Sequence, residues 1–194
     1  MQLIAHRRNQ RDELRDTPKT YGVEIDLRSA GDRLILHHDP FVDGVDFESW
    51  LSDFAHKTII LNVKEEGLEQ RLIKLMAEHG ISDYFFLDQS FNFLVRTART
   101  GERRCAVRVS EYEPVELALS MADMVDWVWV DCFMRFPLDG TAARRLTDAG
   151  LRLCVASPEL HGRSVDTIAA MREELAGEGI DPAAVCTKRP DLWE

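Results

Sequence analysis

GVEIDLRSAGDRLILHHDP, residues 22–40, decides the fold, because its first half alternates as a strand with two unlike faces. Val23, Ile25 and Leu27 share one parity, while Glu24, Asp26 and Arg28 share the other. Successive side chains of a strand point to opposite sides, so an apolar face packed on helices turns two acids and a base the other way. A second apolar run then ends in His37, His38 and Asp39. Buried unpaired charge costs several kcal/mol, so a purely structural core would not select these residues.

Working outward, short β-rich runs recur at 3–7, 22–28, 58–64, 84–88, 105–110, 127–133, 151–157 and 184–190. Helical spacing fills most of the gaps. LEQRLIKLMAEHG (68–80) places apolar residues at 68, 72, 73, 75 and 76 before a glycine stop, and 91–101, 113–123, 139–150 and 164–179 behave alike. Eight strand–helix alternations predict an α/β fold, a compact (β/α)8 TIM barrel forming one domain over 1–194. An open doubly wound sheet is the competitor, but neither G-x-G-x-x-G nor G-x-x-x-x-G-K-[ST] opens any helix. Only about fifteen residues separate the first two runs, so the first outer helix is expected to be short or missing.

The formal net charge of −10 argues against nucleic acid and against an anionic membrane surface. The N-terminus lacks the apolar stretch of a signal peptide, and nothing later reaches the length of an integral membrane segment. Cys105, Cys132, Cys154 and Cys186 lie apart in apolar runs without a C-x-x-C pair, which reads as four reduced core thiols in a cytoplasmic protein.

Barrel parity sends His6 and Arg8, Asn62 and Lys64, Arg108 and Ser110, and Trp129 and Asp131 inward with Glu24 and Asp26. Paired carboxylates at i and i+2 suit a hard cation such as Mg²⁺ or Ca²⁺, or equally ion pairs with Arg28, Lys64 or Arg108. His6 and His38 suit proton transfer near neutral pH, with His37 in support. His56, His79 and His161 carry no comparable context. Trp129 is a substrate-wall candidate, although aromatics in apolar runs are more often core.

AHR, VEIDLRSAGDRLILHHDP, LNVK, DQSF and CTKRPDLW follow one another in an order that resembles the glycerophosphodiester phosphodiesterase family, within the phosphatidylinositol-phospholipase-C-like barrels. The resemblance runs from residue 3 to 193 and is most specific over 22–40. It implies that His6 and His38 are the general acid/base pair and that Glu24 and Asp26 ligate one divalent cation. Lys64 would contact the phosphoryl oxygens, and Arg7 matches the Arg after the first His. Asn62 stands where a third carboxylate is expected, so its amide oxygen would complete a weaker metal site. Arg8 replaces a Gly, Lys188 an Asp, and the cap insertion shrinks to residues 40–51. The implied function is divalent-metal-dependent hydrolysis of a glycerophosphodiester-like small molecule or head group. The alternatives are a weakened barrel that binds a phosphorylated ligand without turnover and, last, Schiff-base chemistry on Lys64.

Overall fold

The computed structural model describes residues 1–194. Strand β1 (Gln2–Ala5) leads into helix α1 (Arg11–Asp16), then β2 (Gly22–Ala30), β3 (Arg33–Leu36), β4 (Val45–Asp46) and α2 (Phe47–Leu51). From there strands and helices alternate: β5 (Ile59–Val63), α3 (Glu69–Glu78), β6 (Tyr84–Leu87), α4 (Phe91–Ala98), β7 (Ala106–Val109) and α5 (Val115–Ser120). The chain ends with β8 (Trp127–Val130), α6 (Gly140–Asp148), β9 (Arg152–Ala156), a 3₁₀ turn (Pro158–His161), α7 (Thr167–Gly177), β10 (Ala184–Thr187) and a second 3₁₀ turn (Pro190–Leu192). No helix is long and apolar enough to cross a membrane.

Eight parallel strands follow the path β6-β5-β2-β1-β10-β9-β8-β7, matching the eight predicted runs. β3 and β4 extend β2 as an antiparallel flap, which the sequence alternation did not reveal. α1 is short as expected, with six residues. In place of a cap insertion, residues 40–51 supply only β4 and the five-residue α2.

Two cores follow from the strand parity. Val23, Ile25, Leu27, Leu61, Val107 and Val130 face outward into a large cluster shared with the helices. Ile4, Ile60, Phe85, Trp127, Trp129 and Cys186 fill the interior of the curl, with Phe85 and Trp127 stacked at 4.3 Å. Gly22 opens β2 beside the neighbouring strand's backbone; a Cβ there would sit 2.6 Å from Thr58 O, so the close approach demands glycine.

The curl is TIM-barrel-like, but the expectation of a closed barrel is corrected. β6 and β7 make no ladder and meet only at one parallel bridge, Phe86 with Cys105. Both strands have four residues, and Cys105 N–H donates back to Arg103 O (2.7 Å), tying the approach to β7 into a local turn. Beyond β6, Asp88 takes a left-handed backbone (φ 59°). A cavity of about 320 Å³ opens along this seam between Leu87, Leu94, Val107 and Leu117.

Candidate active site

In α/β barrels the loops following the strands build the site, at the C-terminal face. A cavity of about 220 Å³ occupies that position, lined by His6, Arg7, Glu24, Asn62, Lys64, Arg108 and Trp129, together with Asp88, Asp131, Phe133 and His161. Asp26 lies fully buried beneath it. Trp129 belongs to the interior core while also reaching the cavity wall.

The floor is built on β2 and β5, whose ladder sets Asp26 opposite Asn62. Glu24 accepts from Asn62 Nδ2 (2.8 Å) and from the Arg7 backbone N–H (2.7 Å). Burial, and then the charge of Asp26, push its carboxyl up to about 7. Asp26 exchanges two 2.9 Å hydrogen bonds with Asn9, its backbone N–H donating to Oδ1 and its Oδ2 accepting from Nδ2. Arg7 Nε lies 3.0 Å from the same oxygen. Strand parity pointed Arg7 away from the axis, yet a left-handed backbone at Arg7 (φ 53°) brings it to the floor. The same twist corrects the inward placement of Arg8, whose side chain lines a separate cavity with Glu13, Asp16 and Asp191.

His6 stands beside Glu24, Nε2 to Oε2 at 3.7 Å. Burial, then Arg7, Lys188, Lys64 and Arg8, lower its pKa to about 3, which leaves the imidazole neutral. Lys64 Nζ sits 2.9 Å from Asp88 Oδ2 and 3.5 Å from Asp26 Oδ1. Arg108 pairs with Asp88 as well, and its Nε lies 3.4 Å from Asp131 Oδ2. Burial pushes the Asp88 carboxyl up, but Lys64 and Arg108 outweigh it and hold the group below its ordinary value.

His38 does not line this cavity. It follows β3, whose antiparallel pairing to β2 carries it to the rim, where its ring is 44% exposed and Nδ1 contacts Asp39 Oδ1 at 2.8 Å. Arg28 holds this rim by donating to His38 O (2.8 and 3.0 Å) and to Lys64 O (3.1 Å). Asn9, Asp88 and His161 gained no role from sequence reasoning. A usable signal existed for His161: Pro158 after Ser157, with Gly162 beyond, is the start-and-stop pattern of a short helical turn ending at that histidine.

No group of three His, Cys, Asp or Glu side chains converges as a metal cage. Two buried oxygens nonetheless lack any hydrogen-bond partner, Asp26 Oδ1 and Asn62 Oδ1. Orphaned acceptors on register partners, beside a crowded carboxylate pair, are what a hard divalent cation satisfies. These two oxygens are the donors such an ion would take.

The curled parallel sheet defines an α/β, TIM-barrel-like fold. No protein-family model and no curated protein matches the chain. Among solved structures it is similar to a glycerophosphodiester phosphodiesterase from Agrobacterium tumefaciens, with TM-score 0.65 and 17% identity over 100% of this chain and 97% of that one. A glycerophosphoryl diester phosphodiesterase from Parabacteroides distasonis gives TM-score 0.69 and 14% identity over 98% and 84%. A mutant tryptophan synthase alpha-subunit from Pyrococcus furiosus gives TM-score 0.59 and 12% identity over 96% and 86%. At these identities the likeness is one of fold.

Proposed function

We propose that this chain hydrolyses phosphodiesters of the glycerophosphodiester type, as small molecules or head groups. The observation that carries the reading is the cavity itself. Three cationic side chains, Arg7, Lys64 and Arg108, wall it above the buried Glu24–Asp26 pair, with a neutral imidazole at its edge. A diester anion needs such local positive charge to enter a protein of net charge −10.

Glu24, Asp26 and Asn62 would hold one divalent cation, Mg²⁺ or Ca²⁺, which when bound neutralises charge on the phosphoryl oxygens. Lys64, positioned by Asp88, is the chain's own counterpart for those oxygens. Arg7 and Arg108 orient the anion from opposite walls. His6 takes the proton from the attacking hydroxyl. His38, held at the rim by Arg28, is the imidazole that family resemblance pairs with it. The four buried cysteines are free, which fits a reducing cytoplasm.

Turnover of bis(p-nitrophenyl) phosphate and of glycerophosphocholine, with Mg²⁺, Ca²⁺ or chelator, tests the reading. Hydrolysis that falls on chelation, and falls about 10²-fold or more in Lys64→Ala, is the expected result. Tight binding of phosphate esters without turnover of either diester would replace hydrolysis by binding.

A further inference from the structure

We propose that His161 and Asp131 form a second proton-transfer dyad in the mouth, with His161 protonating the leaving alcohol of the diester. The inference rests on the phosphodiesterase reading above and adds a residue that neither strand pattern nor family resemblance supplies. His161 lines the same cavity as His6. Its Nε2 is hydrogen-bonded to Oδ1 of Asp131, a carboxylate only 3% exposed. Phe133 packs against the imidazole with ring centroids 4.6 Å apart. A buried carboxylate on one ring nitrogen fixes orientation and tautomer, and frees the other nitrogen for chemistry. Nδ1 of His161 makes no hydrogen bond within the protein.

The surroundings are rigid on both sides. Glu159, buried in the turn that ends at His161, accepts from Thr187 Oγ1 (2.6 Å) and from the Lys188 N–H (2.9 Å), fastening the turn to β10. Trp193 Nε1 donates to Ser157 Oγ (2.8 Å) at the start of the same turn. Opposite, Glu111 accepts backbone N–H groups from Phe133, Met134 and Arg135, which pins the loop carrying the Phe133 ring. A group held this way meets the positional demands of proton transfer better than a rim residue whose ring is nearly half exposed.

In the step, water oxygen bonds to phosphorus and gives its proton to His6. The P–O bond to the leaving alcohol breaks with its electron pair on oxygen. Protonated His161 donates Nδ1–H to that oxygen and remains as neutral imidazole, still bonded to Asp131. Solvent then carries the proton from His6 back to His161, and the phosphomonoester and alcohol depart.

A general acid matters in proportion to how badly the leaving group needs a proton. The test therefore compares glycerophosphocholine, which expels an alkoxide, with bis(p-nitrophenyl) phosphate, which expels a stable phenolate. His161→Gln is expected to lower kcat on the alkyl diester by about 10²–10⁴-fold and on the aryl diester by far less. Asp131→Asn should give a smaller loss with the same substrate preference, and circular dichroism shows whether each variant remains folded. Equal losses on both substrates in both folded variants would reduce the dyad to a structural role. A leaving-group-dependent loss in His38→Ala but not in His161→Gln would assign the acid to His38 and overturn the proposal. If wild type hydrolyses neither diester, the phosphodiesterase reading falls first and takes the dyad with it.

Discussion

Arg7 departs from the strand geometry around it. A left-handed backbone at a non-glycine residue costs on the order of 1–3 kcal/mol, and it persists only where neighbours over-determine it. Here they do: its N–H reaches Glu24 and its side chain reaches Asp26. Asn9, two residues on, locks the same carboxylate with a reciprocal pair of hydrogen bonds. Removing that pair leaves a buried strand N–H without a partner and takes one donor from the buried carboxylate, which keeps Arg7. Asn9→Ala is thus expected to destabilise the fold by about 1–3 kcal/mol, measured by urea unfolding, and to lower diester turnover as the floor loosens. An unchanged unfolding midpoint would show that water replaces the amide at no cost. Glu24 and Asp26 were legible from alternation alone because strand β2 is regular. Asn9 and Arg8 were not, because one residue of positive φ at the end of β1 reverses the faces that follow it.

At the scale of elements, the eight barrel strands could be read directly, each being a short apolar or alternating run closed by polar residues. The helices facing the outer core could be read too, since LEQRLIKLMAEHG and its counterparts keep one apolar stripe. The antiparallel flap of β3 and β4 escaped, because alternation gives no strand direction; that direction is what moves His38 from wall to rim. Loops after the strands are the other element the sequence hides. The loop after β8 is held by Glu111, which caps three consecutive N–H groups. Burial nudges its carboxyl up, but the bonds from Arg135, Met134 and Phe133 outweigh this and hold it below the ordinary value. With the folded pKa depressed, the stabilisation is present above the unfolded carboxylate pKa and lost as pH falls through the folded one. The melting-temperature gap between wild type and Glu111→Gln is expected to be widest near neutral pH and to close in acid. A gap that widens in acid would contradict this sign.

Taken whole, the molecule is a ring of parallel strands interrupted at one place, and the interruption has an energetic signature. β2 and β5 share five paired positions, whereas β6 and β7 share a single bridge. Sequence length hinted at economy, but no residue pattern marks where a barrel fails to close, since closure depends on how far two strands run side by side. The seam leaves apolar side chains around a cavity of about 320 Å³, so those atoms lack partners that a closed barrel would supply. Ala106 sits on that wall at 6% exposure, pointing into the curl from β7. Replacing it with valine adds two carbon atoms to space already present and a residue better suited to a strand. A gain of about 1 kcal/mol corresponds to a rise of about 2–4 °C in Tm for a chain of this size. Ala106→Val is therefore expected to melt higher than wild type in differential scanning calorimetry. A lower Tm would mean that the seam is already packed tightly enough for the added methyl groups to force its strands apart.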